Sequence, residues 1–223
     1  MQVQRKESLM QTRKIYFAGA LFNHKDIIGN LLLAKAVECL SEKLYCVMLP
    51  QDCESNNLRN VNEIRDRDLE LLFSCDCIVA SFDGTELDSG TVVEFCFAKQ
   101  LGLPAVLLRT DFRKGGDNGT EPWNLMCSGY PRTTTLLVSA MEQYHRLKTD
   151  NALESAEIVC RETALLIINA LDELFAAKPL LSADEAERVM KCAVKTTGGI
   201  LAELFPVMRI KNICRQKQEK GVY

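Results

Sequence analysis

"DCIVASFDGTELDSGTVVEFCFAKQLGLPAVLLRT", Asp76 to Thr110, is the stretch that decides the fold. "DCIVASF" is a short apolar run of strand length, and "SGTVVEFCFAKQLG" is a helix that stops at Gly102. "PAVLLRT" is a strand again. Strand, helix and strand in close succession make a parallel crossover unit. The same alternation continues on both sides. Upstream, "KIYFAGA" (Lys14 to Ala20) reads as a strand ending near Gly19, "HKDIIGNLLLAKAVECLSEK" as a helix, and "LYCVMLP" as a strand closed by Pro50. "NLRNVNEIRDRDLELLFSC" returns to a helical period, with Leu58, Val61, Ile64, Leu69 and Leu72 broadly on one face. Downstream, a Gly-rich loop leads to "TTTLLVSA" as a fifth strand. The pattern predicts an α/β fold with a doubly wound, mostly parallel five-stranded sheet and helices on both faces.

From about Asp150 the strand signal ends and a C-terminal helical appendage begins. Its second helix opens on Ser182 with Glu185 three residues later, a capping box, and Gly198 and Gly199 are placed to break it. The expected organisation is a flexible leader over 1–13, an α/β domain over 14–149, and a helical extension over 150–223 packed on the same domain.

The 223 residues are 47% hydrophobic and 26% charged, enough for a sizeable core. A net charge of −3 gives no overall basic field for nucleic acid. The basic clusters (Arg5 and Lys6; Lys211, Arg215, Lys217 and Lys220) read as solvated ends. No apolar run reaches the roughly 18 residues of a membrane span, and the first residues lack the apolar centre of a signal peptide. Ten cysteines include no C-x-x-C pair, and two histidines are too few for a zinc cluster. A reduced, cytoplasmic protein with buried thiols and no metal is expected.

Neither G-x-G-x-x-G after the first strand nor G-x-x-x-x-G-K-[ST] is present, so dinucleotide and nucleoside-triphosphate binding lose their main support. The acids stand out instead. Asp83, Glu86, Asp88 and Glu94 cluster where the third strand ends, the edge at which doubly wound sheets bind ligands. Glu94 sits among Val92, Val93, Phe95, Phe97 and Ala98, and a lone acid in such a helix needs a reason. Two roles fit: an ion pair or cap, or a carboxylate near a helix N-terminus able to attack an electrophilic sugar carbon. Asp88 can cap the helix and also supply the second carboxylate of glycoside chemistry.

Four pieces in order, "IYFAG", "RDL" at Asp68, "DSGTVVE" from Asp88 to Glu94, and "NLM" from Asn124 to Met126, resemble the nucleoside 2-deoxyribosyltransferase family over roughly residues 14 to 130. The resemblance implies that Glu94 is the nucleophile, forming a covalent 2-deoxyribosyl intermediate, and that Tyr16 orients it. It implies Asp88 near the sugar hydroxyls, Asp68 near the base as proton donor, and Gln51 on the base. Gly19 lies in the matching first-strand motif. Asn124 and Met126 would reach a neighbouring subunit's site, so a homo-oligomer with shared sites is implied. The chain end, Gly221-Val222-Tyr223, matches a family ending whose terminal carboxylate can reach an active site, alongside a plain reading as a frayed polar tail. The helical extension has no family counterpart. The expected activity is transfer of 2-deoxyribose from a 2′-deoxynucleoside to a free nucleobase, without metal or other cofactor. The alternatives are a 2′-deoxynucleoside 5′-monophosphate N-glycosidase, with Ser81, Ser89 and Arg109 toward phosphate, and a non-catalytic nucleotide-sensing module.

Overall fold

The computed structural model describes residues 11–53, 61–116 and 121–223. Its centre is a five-stranded, all-parallel sheet in the order β2-β1-β3-β4-β5, built from β1 (Arg13–Ala18), β2 (Tyr45–Met48), β3 (Cys77–Ser81), β4 (Ala105–Arg109) and β5 (Thr133–Leu137). The crossovers are α1 (His24–Leu40) after β1, α2 (Pro50–Cys53) and α3 (Val61–Ser74) after β2, and α4 (Ser89–Gln100) after β3. Then follow α5 (Ala140–Leu147), α6 (Ala152–Ala176), α7 (Ala183–Thr197), α8 (Leu201–Leu204) and α9 (Val207–Glu219). The strand order reverses between β1 and β3, which opens a crevice at the carboxyl edge of the sheet. The doubly wound expectation is met.

Strand alternation divides the core into two layers. Tyr16, Ala18, Ile78, Ala80, Ala105 and Leu107 face α3, α4 and the helices from α7 onward. Ile15, Phe17, Cys77, Val79, Val106 and Leu108 face α1 and α6. The C-terminal helices therefore cover both faces of the sheet.

Local signals set the helix limits. Asp88 caps α4 by accepting the Thr91 N–H at 2.7 Å, and Ser182 with Glu185 forms the expected capping box on α7. Gly198 (φ 71°) and Gly199 (φ 65°) end α7, as their positions suggested. Helix α4 is not buried all round as its apolar sequence suggested: Val93 is exposed beside Glu94.

Three expectations need correction at the amino edge. The leader cannot extend to residue 13, because Arg13 begins β1 and its guanidinium lies over the Phe175 ring; residues 1–10 of the proposed leader, like Leu58, lie outside the described residues. The polar stretch near the end is helix α9, not a solvated tail, and Lys217 within it is 1% exposed, donating to the Cys75 carbonyl. Lys220 pairs with Asp76 at 2.8 Å. Tyr223 is buried at this edge, opposite the ligand-binding one, so the structure does not bring it to the candidate site. Arg132 holds the chain end there by donating to the carbonyls of Gly221 and Val222 at 2.7 and 2.6 Å.

That packing sets an expectation for the tail. Removing Val222 and Tyr223 lowers the unfolding free energy by at least ~2 kcal/mol, since a fully buried valine goes and Arg132 loses an acceptor. Urea unfolding checks this, and an unchanged midpoint would show that the tail only rests on the surface.

Candidate active site

Tyr16 is the middle of the site because of where β1 places it. It pairs with Met48 on one side and Ile78 on the other, and its side chain leaves the sheet toward α4. There its hydroxyl donates to Glu94 Oε1 at 2.5 Å. Burial, the Glu94 charge and this bond all raise the Tyr16 pKa well above the ordinary phenol value, so the phenol keeps its proton and acts as a donor.

Glu94 is pushed up to about 7, first by burial. The Tyr16 hydrogen bond opposes that by favouring the carboxylate, and the charges of Asp68 and Asp88 raise it further. The carboxyl thus changes charge near neutrality, where a small change in its surroundings decides its state.

Glu94 opens into a cavity of about 670 Å³. Asp68 of α3 stands in its wall with Arg65, and Ser89 and Gly90 contribute the first turn of α4. Val61, Ile64, Val93 and Phe97 supply apolar surface. The remaining wall is Leu69 of α3 together with Thr196 and Thr197, at the end of α7.

The structure thus brings together Tyr16, Glu94 and Asp68, with Asp88 at the helix start close enough to act on Glu94 through its charge. Asp88 also performs the capping role, binding Thr91 through both its N–H and its hydroxyl. The other expected residues lie outside this cavity. Gln51 donates to the Ile27 carbonyl at 3.0 Å. Gly19 ends β1 where a side chain would meet Ser81, its Cβ falling 3.2 Å from the Ser81 Cβ. Asn124 caps the short 3₁₀ turn Leu125–Cys127, and Met126 on that turn is 71% exposed. Arg109, weighed for phosphate, is buried and donates to the carbonyls of Phe82, Gly84 and Arg113.

Sequence reasoning missed Arg65, Thr196 and Thr197. The available signals were the neighbour of an acid already singled out and a Thr-Thr pair directly before a glycine doublet. A buried acid joins the two. Asp66 Oδ1 accepts from Arg65 at 2.9 and 2.6 Å, while Oδ2 accepts the Ile200 N–H at 2.7 Å. A Cβ on Gly199 would sit 2.0 Å from Asp66 Oδ2. Only glycine lets the α7–α8 turn approach so closely. Among the described residues, no group of three or more His, Cys, Asp or Glu could hold a metal ion, and no helix is long and apolar enough to cross a membrane.

A family model described as nucleoside 2-deoxyribosyltransferase matches residues 15–126. No curated protein matches the chain. Among solved structures, a conserved protein from Enterococcus faecalis V583 is 28% identical, with 59% of this chain and 94% of that chain covered and a TM-score of 0.49. A 2-deoxyribosyltransferase from Bacillus psychrosaccharolyticus is 22% identical, with coverage of 52% and 81% and a TM-score of 0.42. A 2-desoxiribosyltransferase from Leishmania mexicana is 24% identical, with coverage of 55% and 89% and a TM-score of 0.43. The matched span holds Tyr16, Asp68, Asp88 and Glu94 and leaves out Thr196 and Thr197.

Two outcomes follow. Gly199→Ala destabilises the fold by ~1–3 kcal/mol, combining a left-handed alanine with displacement of Asp66, as thermal unfolding would read. For Glu94 the folded pKa lies above the ordinary value, so its stabilising contribution is complete below about pH 4.5 and fades as pH rises through about 7. Glu94→Gln removes that dependence, and unfolding midpoints at pH 5 and pH 8 move closer together than in the parent.

Proposed function

The chain belongs to the nucleoside 2-deoxyribosyltransferase family, and on that premise we infer that it moves 2-deoxyribose from a 2′-deoxynucleoside to another nucleobase through Glu94. The observation that carries this reading is the Tyr16–Glu94 hydrogen bond at the wall of a cavity that also contains Asp68. The Glu94 carboxylate attacks C1′, and the glycosidic C–N bond breaks with its electron pair leaving on the base. Asp68 donates the proton that the departing base needs. The acceptor base then attacks C1′ of the glycosyl ester, returning the carboxylate, and Asp68 takes up the proton released. Tyr16 holds one carboxylate oxygen, which leaves the other to attack. Asp88 lies toward the sugar hydroxyls.

Residues 14–149 carry this chemistry, and from the helices of 150–223 the end of α7 closes one side of it. The exposed Leu125 and Met126 support the further reading that, with Asn124, they meet a second copy and share its site. Gln51 and Gly19 belong to this reading through the family motif, as residues at the substrate's rim. The setting is cytoplasmic, where buried thiols such as Cys75, pushed up to about 12 by burial, stay reduced. Engagement of Arg109 with backbone carbonyls weighs against a nucleotide 5′-phosphate and so against the N-glycosidase alternative.

Incubation with deoxyinosine and adenine tests the proposal. Deoxyadenosine forms, and Glu94→Gln lowers its rate at least ~10³-fold. Free deoxyribose alone would mean hydrolysis, and no reaction would favour a binding module. The acid limb of kcat/KM falls near pH 7, since Glu94 must be ionised to attack. Tyr16→Phe moves that limb to higher pH because it removes the bond that favours the carboxylate. A limb unmoved by this change would show that Tyr16 does not act on Glu94.

A further inference from the structure

We propose that the end of α7 is a base-reading wall of the Glu94 cavity, and that it selects nucleobases carrying an exocyclic amino group. The inference rests on the reading of this cavity as the deoxyribosyl-transfer site, and it concerns a segment that lies outside the family match.

The hydrogen-bonding capacity of this wall is one-sided. The Thr197 hydroxyl donates its hydrogen to the Ala193 carbonyl at 2.8 Å, and the Thr196 hydroxyl donates to the Cys192 carbonyl at 2.9 Å. Each hydroxyl has a single hydrogen, so what remains toward the cavity is lone pairs. The last turn of a helix also leaves carbonyls without intrahelical donors, and it carries the negative end of the helix dipole. The turn at Gly198 and Gly199 takes the chain away at once, so α7 does not continue across this surface. The end of α7 is an acceptor surface.

The donors flank this surface on the α3 side, where a Cβ on Gly199 would fall 2.9 Å from an Arg65 Nη. Arg65 has its Nε and one Nη engaged by Asp66. The first-turn residues Ser89 and Gly90 line the α4 side. Val93 and Phe97 provide apolar surface for a planar ring between these two polar walls. An amino group directed at α7 meets acceptors. A keto oxygen in the same place meets acceptors too, and neither side is satisfied. The wall is also held in place, since Asp66 binds the Ile200 N–H immediately after the glycine turn.

Calorimetric titration with adenine, unsubstituted purine and hypoxanthine tests this in the full chain and in the double variant Thr196→Val, Thr197→Val, which keeps side-chain shape and removes both hydroxyls. The parent protein binds adenine at least ~10-fold more tightly than purine or hypoxanthine, and in the double variant, which keeps the backbone carbonyls, the adenine-to-purine ratio falls at least ~3-fold. Equal binding of adenine and purine by the parent overturns the inference, as does an adenine preference undiminished in the variant, or no binding of any base. Should the variant fail to fold, the adenine-to-purine ratio of the parent still decides. Adenine bound preferentially by a protein that forms no deoxyadenosine would sink the transfer reading and leave the base-reading wall standing.

Discussion

The hydrogen bond from Tyr16 to Glu94 joins the centre of the sheet to the helix that follows β3, and it makes a buried carboxyl tolerable. Burial favours the protonated form of Glu94, and nearby Asp68 and Asp88 push the same way. One phenol opposes them. Its position depends on β1 lying between β2 and β3, so the parallel order of the sheet and the state of the carboxyl are the same problem seen at two scales. A phenol suits the task because it donates without adding charge.

The helices after β5 are not an ornament on this arrangement. Helix α6 fills the layer against α1, while α7 to α9 fill the layer against α3 and α4. Without them part of each layer, now covered by α6 on one face and α7 to α9 on the other, would face water. The same helices that complete the core also carry Thr196 and Thr197 to the cavity, so stability and the shape of the site are coupled through Asp66. A surface lid could vary freely; this wall cannot move without disturbing a fully buried acid.

Much of this was legible in the sequence because each βα unit carries its own apolar run and its own stop. Asp88 before α4, the Ser182 and Glu185 box, and the glycine doublet after α7 are local signals, and local signals survive in one dimension. Glu94 stood out for a similar reason, as an acid in apolar company. What escaped depends on pairings across the fold. Helix α9 looked like a solvated tail because Ile210 and Cys214 are its only fully buried apolar residues; Lys217 completes the stripe with its aliphatic stem, which sequence patterns count as polar. Asp66 and Asp68 sit two positions apart, and nothing local shows that one faces Gly199 while the other faces the cavity. Tyr223 was drawn toward the site by the family ending, and Arg132 holds it at the opposite edge.

The pinned chain end has a consequence for how the molecule is made. The guanidinium of Arg13, on the first strand of the sheet, donates to the carbonyl of Lys220, 207 positions later. Contacts this distant in sequence form late, because the intervening chain must first be ordered. A nascent chain can assemble its parallel strands while synthesis proceeds, yet the floor of the amino edge stays open until α9 and residues 220–223 are in place. A chain lacking α9 would therefore hold a nearly complete sheet with an unfilled apolar cleft where Ile210, Cys214 and Val222 pack, a form that chaperones and proteases recognise.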